Sequence, residues 1–194
     1  MKKLTIAALL IASCVNVWAA DLEKGLAAYD SGDYATALAE WKRLADQGIA
    51  FGQYSLGFMY DKGFGVTKDS KEAFKWYRLA AEQGYAAAQY FLGLKYAFGR
   101  GVIKDSKEAV KWYRLAAEQG YADAQYRLGL SYAIGDGVIE DNVYAHMWLN
   151  LAAADGFEDA RTSKDIIVKR MTPQDISKAQ GLARECVKKN YKDC

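Results

Sequence analysis

The sequence predicts an all-α protein built from stacked helix-turn-helix repeats and closed by C-terminal capping helices. Three observations support this fold class. The chain repeats itself every 36 residues, apolar residues within a repeat recur at helical spacing, and glycines stand where the helices should stop. The 194 residues are 52% hydrophobic and include one proline, a globular composition that suits one short repeat array.

The first nineteen residues have the features of an export signal. Met1-Lys2-Lys3 provides a positive start, residues 4–17 are almost wholly apolar, and Val17-Trp18-Ala19 suits a signal peptidase. The apolar run is about 14 residues, whereas a membrane-spanning helix needs about 20. We therefore expect cleavage after Ala19, no membrane span, and a bacterial protein that is periplasmic or secreted.

A lipid anchor is the alternative interpretation of the same segment. Ile11-Ala12-Ser13-Cys14 resembles a bacterial lipobox, in which Cys14 would be lipidated and become the first mature residue. The site at Ala19 is better placed, so the lipoprotein stays the minority interpretation.

The charge balance disfavours a nucleic-acid partner. Removal of Lys2 and Lys3 with the signal would leave 24 basic and 24 acidic residues. Zero net charge disfavours a nucleic-acid binder of the usual basic kind. We expect no cofactor and a monomer.

Two cysteines remain after cleavage at Ala19, and an exported protein would be expected to join them. Cys186 and Cys194 are eight residues apart, which in continuous helix is about 12 Å between Cα atoms, whereas a disulfide needs less than about 7 Å. The helix must therefore end between them, and Asn190 is the predicted left-handed cap. Such a short loop would stabilise the fold by about 2–3 kcal/mol. The alternative is two free thiols.

The repeats cover most of the chain. Residues 85–120 share 25 of 36 positions with residues 49–84, and residues 121–156 share 21 of 36 with residues 85–120. Residues 20–48 form a weaker first copy. The tryptophans of the second helices recur in fixed register at Trp76, Trp112 and Trp148.

Each repeat is predicted to be a helix, a turn and a second helix. In the third copy, small and apolar residues stand four apart from Ala88 to Tyr96, and Gly99 ends this first helix. Asp105 is a suitable N-cap for the second helix, which Gly120 ends. Residues 157–194 fall outside the clear repeats. There, Thr172-Pro173 predicts the start of a last helix that caps the array.

These patterns resemble a known family. The order Ala-Gln-Tyr-x-Leu-Gly-x-x-Tyr, Gly-x-Gly-Val, then Asp-x-x-x-Ala-x-x-Trp-x-x-x-Ala-Ala-x-x-Gly resembles the Sel-one-like repeat, a relative of the tetratricopeptide repeat. The resemblance covers residues 20–160, and the first copy is more similar to a tetratricopeptide unit. It implies a right-handed α-solenoid that acts as an adaptor or scaffold for other proteins, in exported bacterial members at the envelope or towards host factors.

The sequence carries no recognisable catalytic or metal-binding motif. Each Gly-x-Gly follows a helix and lacks the third glycine of a dinucleotide site, and there is no Gly-x-Ser-x-Gly, P-loop or His-Glu-x-x-His motif. His146 takes the register position of Leu38, Phe74 and Val110, which predicts a half-buried packing residue. We expect a protein that is not an enzyme.

An envelope hydrolase acting on β-lactams or cell-wall amides is the alternative, because some cysteine-rich relatives have been linked to that activity. Those relatives carry a cysteine pair in each repeat, and this chain has none there. No serine begins a Ser-x-x-Lys motif. A carrier of small wall fragments would need a closed pocket that an open array rarely offers.

The stripe is our name for one face of the first helices that differs between copies. Its members share helical spacing of four, four and three residues and mix apolar with polar side chains. We predict that it forms a concave groove for a protein or peptide, with Phe91 and Phe98 as anchors and the cations attracting an acidic partner. Ordinary variable solvent surface is the alternative. The predicted partner-binding residues are Phe51, Ser55, Met59, Lys62, Phe91, Lys95, Phe98, Arg127, Ser131 and Ile134.

Overall fold

The computed structural model describes residues 21–194, and its regular secondary structure in this range is entirely helical. The predicted signal segment and Cys14 lie outside the described residues. Helix α1 covers residues 21–30. The other helices are α2 Tyr34–Asp46, α3 Ala50–Lys62, α4 Ser70–Glu82, α5 Ala86–Phe98, α6 Ser106–Ala117, α7 Ala122–Ile134, α8 Asn142–Ala154, α9 Glu158–Val168 and α10 Pro173–Lys188. The predicted all-α helical repeat fold is confirmed.

The helices belong to two compact units. Unit 1 ends at Gln83 and contains α1 to α4, and unit 2 is Gly84–Cys194 with α5 to α10. Within them, α3 packs against α4, α5 against α6 and α7 against α8. Each of these three pairs is one helix-turn-helix repeat.

Aspartates begin the second helix of each repeat. The Asp69 carboxylate accepts hydrogen bonds from the backbone N–H groups of Lys71 and Glu72 at 2.8 and 3.1 Å. Asp105 does the same for α6, as the sequence predicted. These bonds satisfy backbone donors that have no partner within the helix.

Glycines end the first helices in the left-handed conformation. The φ values are 81° at Gly63, 65° at Gly99 and 69° at Gly135. Residues that carry a side chain disfavour such positive φ values. The first repeat departs from this pattern, because residues 31–33 connect α1 to α2 whereas residues 63–69 connect α3 to α4. The turn of the first repeat is therefore four residues shorter. As a result, the residues of α1 are shifted by four positions, about one helical turn, relative to the 36-residue repeat.

A pair of glutamines links the two helices of a repeat. In unit 1 the Gln83 side-chain amide donates to the Gln53 side-chain oxygen at 2.7 Å. In unit 2 Gln119 donates to Gln89 in the same way at 2.8 Å. The next repeat has Asp155 at the donor position, and a carboxylate cannot donate this bond.

The C-terminal helices complete unit 2. The Thr172 hydroxyl accepts from the Asp175 backbone N–H at 3.2 Å, and the Asp175 carboxylate accepts from the Thr172 N–H, so α10 begins with a capping box. Helix α10 packs along α8, whose Trp148 is fully buried, whereas Trp112 of α6 is half-buried.

Beyond α10 the chain turns back on itself. Asn190 has a φ of 53°, as the predicted left-handed cap requires, and Tyr191 and Asp193 are also left-handed. The turn brings the Cα atoms of Cys186 and Cys194 to 5.4 Å and places the pair in disulfide geometry. The oxidation state of this pair in the cell stays a prediction. Between residues 21 and 194, no helix has the length and apolar content to cross a bilayer.

Candidate functional site

The stripe residues of unit 1 divide between a pocket and the core. Phe51 and Ser55 of α3 line a pocket of about 210 Å³ with aromatic walls, whereas Met59 is fully buried in the core. Lys62 lies outside, with its ammonium 5.6 Å from the ring centroid of Phe58. The residues that line this unit-1 pocket are Leu26, Tyr29, Trp41, Phe51, Tyr54, Ser55 and Phe58.

Aromatic contacts define the unit-1 pocket. The ring centroids of Tyr29 and Trp41 are 5.4 Å apart, and those of Trp41 and Phe51 are 6.3 Å apart with the rings at 84°. Tyr29 also contacts Phe58 edge-on at 6.2 Å. No Asp, Glu, Lys or Arg side chain lines this pocket, so it presents an uncharged, apolar surface to a ligand.

In unit 2, four stripe residues line one cleft. Phe98 at the end of α5 faces Arg127, Ser131 and Ile134 of α7 across a space of about 260 Å³. Phe98 is 53% exposed and Ile134 is 71% exposed. The residues that line this unit-2 cleft are Ala97, Phe98, Lys104, Tyr113, Arg127, Leu130, Ser131, Ile134 and Asp136.

The unit-1 pocket and the unit-2 cleft occupy equivalent places in their repeats. Two periods separate Trp41 from Tyr113 and Ser55 from Arg127. A glycine backs each aromatic wall, since a Cβ on Gly25 would lie 2.4 Å from the Trp41 ring and one on Gly93 would lie 2.5 Å from the Tyr113 ring. The same helical frame therefore carries two different linings.

Several stripe residues lie inside the fold instead of on its surface. Lys95 is only 2% exposed, and Ser55 and Ser131 are also buried. The sequence predicted a continuous accessible face, but the middle positions of α3, α5 and α7 face the protein interior. Lys95 is thereby removed from the surface at which it was expected to attract a partner.

The two predicted anchors differ in exposure. Phe91 is half-buried, with its ring 5.2 Å from that of Tyr90 and packed against the core of unit 2. Phe98 stands at the surface, and the guanidinium of Arg100 lies 5.2 Å from its ring centroid. Only Phe98 of these two has a large accessible apolar surface.

Arg127 is held in place by aromatic neighbours. Its guanidinium lies 5.9 Å from the Tyr126 ring centroid and near the Tyr90 hydroxyl. Burial raises the pKa of Tyr90, and the neighbouring Arg127 guanidinium opposes that increase. Burial also raises the pKa of Tyr113 above its usual value, so both phenols are neutral at physiological pH.

Sequence reasoning missed five lining residues of the unit-2 cleft: Ala97, Lys104, Tyr113, Leu130 and Asp136. Lys104 and Asp136 belong to turns, outside the helix that carried the stripe. Tyr113 had a signal, because an aromatic residue recurs at this register position in Trp41 and Tyr77.

His146 lies more deeply in the fold than the sequence indicated. It is 2% exposed, because α8 is packed against α7, α9 and α10. Burial is the main cause that lowers its pKa, and Lys164 lowers it further while Asp165 opposes this. Among residues 21–194, no three His, Cys, Asp or Glu side chains form an arrangement that could hold a metal ion.

The lysines of the second helices form a solvated face. The Lys75 ammonium pairs with Glu72 on α4, and Lys111 pairs with Glu108 on α6. The ammonium groups are exposed, so these pairs contribute little to stability.

A sequence profile of the Sel1 repeat matches residues 50–85, 86–121 and 122–157. The chain belongs to the Sel1 repeat family. This confirms the family resemblance inferred from the repeats. Sel1 repeat proteins are helical repeat scaffolds for protein interaction and are generally non-catalytic.

Solved structures show the same fold. The chain is similar to a Sel1 repeat protein from Oxalobacter formigenes, with 37% identity and a TM-score of 0.71, over 75% of this chain and 58% of that one. It is also similar to c5321, a protective antigen of uropathogenic Escherichia coli strains with an SLR fold, with 30% identity and a TM-score of 0.60, over 80% of this chain and 42% of the antigen. The matches thus span less than two thirds of each structure. No curated protein sequence matches significantly.

Proposed function

We propose that this Sel1 repeat protein is an exported, non-catalytic scaffold that binds a protein or peptide partner in clefts between its helices. The observation that carries the proposal is the unit-2 cleft, where four residues of the variable stripe converge on one accessible space. Residues there differ between repeats although the surrounding core repeats closely, which is expected where lining chemistry serves binding and not stacking.

Exposed apolar residues around the cleft support a binding role. Besides Phe98 and Ile134, the adjoining turns expose Ile103 and Ile139, at 88% and 87%. Exposed apolar surface is a feature of interaction sites, since a partner removes it from water with a gain of about 25 cal/mol per Å². At the equivalent register positions, α3 and its turn have Lys62 and Thr67, so this apolar character belongs to unit 2.

The first experiment compares partner capture by matched variants. Purified full-length chain is immobilised, and proteins from an envelope extract are quantified by mass spectrometry. The double variant Phe98→Ala with Ile134→Ala should lose captured partners, whereas Ile166→Ala, which removes a half-exposed isoleucine from α9, should retain them. Equal capture by all three proteins would contradict binding at the cleft. Circular dichroism controls for folding.

Export is part of the proposal and has its own test. Its support is the positive start, apolar run and Val17-Trp18-Ala19 site. Intact mass of the protein from the producing cells should show a chain that begins at Ala20. A chain that begins at a lipidated Cys14 would replace the periplasmic or secreted location by an anchored one. An intact Met1 would contradict export.

The Cys186–Cys194 disulfide follows from export. The 5.4 Å separation of the Cα atoms permits the bond, and an oxidising compartment favours it. The exported protein should be lighter by two hydrogen atoms than its reduced form, and two alkylatable thiols in the native protein would contradict this.

The non-catalytic assignment is tested with a chromogenic β-lactam. We expect no turnover above the buffer rate. Steady turnover that survives repurification and chelation would instead support an envelope hydrolase.

A further inference from the structure

We infer that the unit-2 cleft binds a partner segment in which a carboxylate side chain lies next to a large apolar side chain. This inference rests on the proposed function and specifies the chemistry of the partner at that site. It combines the apolar rim of the cleft, the excess of cations in its lining, and the orientation of Arg127.

The apolar part of the site is formed by the ends of two helices. Phe98 at the end of α5 and Ile134 at the end of α7 line the cleft at exposed positions, and Leu130 also lines it. Phe98 and Ile134 are largely exposed. A large apolar side chain inserted between them would be removed from water together with both, which is typical of the centre of a binding interface.

The charged part of the site is positive. Two cations, Lys104 and Arg127, line the cleft with one acidic residue, Asp136. A third cation, Arg100, lies 5.2 Å from the ring centroid of Phe98. A partner with a carboxylate therefore meets complementary charge, whereas a basic partner meets like charge inside a cleft with apolar walls.

Arg127 is suited to the carboxylate contact. Its positions beside the Tyr90 hydroxyl and over the Tyr126 ring restrict the side chain before any partner arrives. Its Nε is buried and has no acceptor within the described part of the chain, so only the terminal nitrogens of the guanidinium can reach a partner. A restricted guanidinium can donate from its two terminal nitrogens to both oxygens of a carboxylate with a small loss of side-chain entropy.

The size of the cleft indicates a side chain as the occupant. Its volume of about 260 Å³ is below the range of about 300–1,000 Å³ that is typical of small-molecule sites. The unit-1 pocket provides an internal contrast, because Ser55 takes the place of Arg127 there and no charged residue is in its lining. The acidic preference should therefore depend on unit 2 alone.

The test begins with a displayed library of random linear peptides selected against the full chain. Enriched peptides should contain Asp or Glu within a few residues of Leu, Ile, Phe or Met. They are then synthesised with amidated C-termini and a fluorescent label, and their Kd is measured by anisotropy. The amide removes the chain-terminal carboxylate, so binding that remains depends on acidic side chains.

Variants assign binding to the cleft. Each of three cleft variants should raise the Kd of the peptides about tenfold or more: Arg127→Gln, Lys104→Gln and Phe98→Ala. Arg78→Gln on α4 and Ile166→Ala on α9 remove an exposed arginine and an exposed isoleucine outside the cleft and should leave the Kd unchanged. If Arg127→Gln does not fold, the exposed Lys104 and Phe98 still test the cleft. Higher salt should weaken peptide binding by the wild type more than binding by Arg127→Gln, because salt screens the contribution of the Arg127 charge.

Each outcome decides between the inference and the proposed function. Enriched acidic and apolar peptides that lose affinity in the three cleft variants support both. Peptides of another composition, loss of binding on amidation, or equal affinity in the cleft variants would overturn the inference and leave peptide binding intact. A selection that enriches no peptide would count against the inference, and the capture experiment with envelope extract then decides the proposed function separately.

Discussion

The unit-1 pocket and the unit-2 cleft have the same frame and different linings. In both, a glycine lets an aromatic ring of the second helix approach the first helix closely, as Gly25 does for Trp41 and Gly93 does for Tyr113. Aromatic rings form most of the lining of the unit-1 pocket, whereas the lining of the unit-2 cleft includes two cations.

The comparison separates the positions that set the spacing of the helices from those that we propose for partner binding. The glycine and ring pair fixes the distance between helices and recurs because stacking requires it. The neighbouring positions, such as Ser55 and Arg127, do not set that distance, so they can differ in charge without loss of the fold. Four predictions test this separation, in order of decreasing expected effect.

The largest effect is expected where the shared frame is changed. Gly93→Ala places a Cβ 2.5 Å from the Tyr113 ring and 3.2 Å from the Ala109 carbonyl oxygen, and neither can move without disturbing the core. We expect a loss of about 2 kcal/mol in the free energy of unfolding, measured by urea titration. Gly25→Ala should lower the free energy of unfolding in the same way in unit 1.

Gly181→Ala is the matched control in α10, where the nearest group to the new Cβ is the Arg184 guanidinium at 3.9 Å. This change should stabilise the protein by about 0.5–1 kcal/mol, because alanine favours helix more than glycine does. An increase in stability in Gly93→Ala would contradict the close contact between Gly93 and the Tyr113 ring.

The second prediction converts one lining into the other. Arg127→Ser gives the unit-2 cleft the residue found at Ser55 in unit 1. Affinity for the selected acidic peptides should fall about tenfold, which corresponds to about 1.4 kcal/mol, and its dependence on salt should become weaker. The unfolding midpoint should change much less than for Gly93→Ala. Fluorescence anisotropy at low and high salt measures the first effect and thermal unfolding the second.

The third prediction concerns the glutamine pair, which unit 1 has once and unit 2 has in only one of two repeats. Asp155→Gln should supply the missing donor to Gln125, whose side-chain oxygen has no hydrogen bond within residues 21–194. We expect a gain of about 1 kcal/mol in unfolding free energy. Gln119→Asp, the reverse change in the preceding repeat, should lose a similar amount. Equal stability of all three proteins would contradict the role of the pair.

The smallest effect is expected from His146, which takes the position of Leu38 and Phe74 in unit 1. Because its pKa is lowered in the fold, the unfolded chain binds a proton first as the pH falls below about 6.5. Stability should therefore decline from about pH 6.5 downwards. His146→Leu should reduce this decline. Above pH 7 the free energy of unfolding should depend on pH in the same way in the variant and the wild type. Urea titration at a series of pH values on both sides of pH 6.5 measures both effects.

Local signals in the sequence predicted the helices well. Asp69 and Asp105 act on their own helix ends, and Gly99 needs no distant partner to favour a left-handed turn, so a few neighbouring residues determine each boundary. The family pattern also depends on such positions. The shorter turn of the first repeat was visible in Ser31-Gly32-Asp33, but its shift of α1 was not predicted.

The candidate site was only partly predictable, because exposure depends on what packs over a helix. Helical spacing placed Met59, Lys95 and Ser131 on the same face as Phe98 and Ile134, yet the first three are buried. A period of four and three residues specifies direction from the helix axis but not the depth of the neighbouring helix. Lys104 and Asp136 come from separate turns, which only the folded chain brings together.

The placement of α10 along α8 has a consequence for engineering. The buried Trp148 shows that this end of the array is already occupied by its own cap, so a further repeat fused after residue 194 would find no complementary surface on α8. A lengthened protein would instead be obtained by duplicating an internal 36-residue copy, with the terminal helices carried along unchanged.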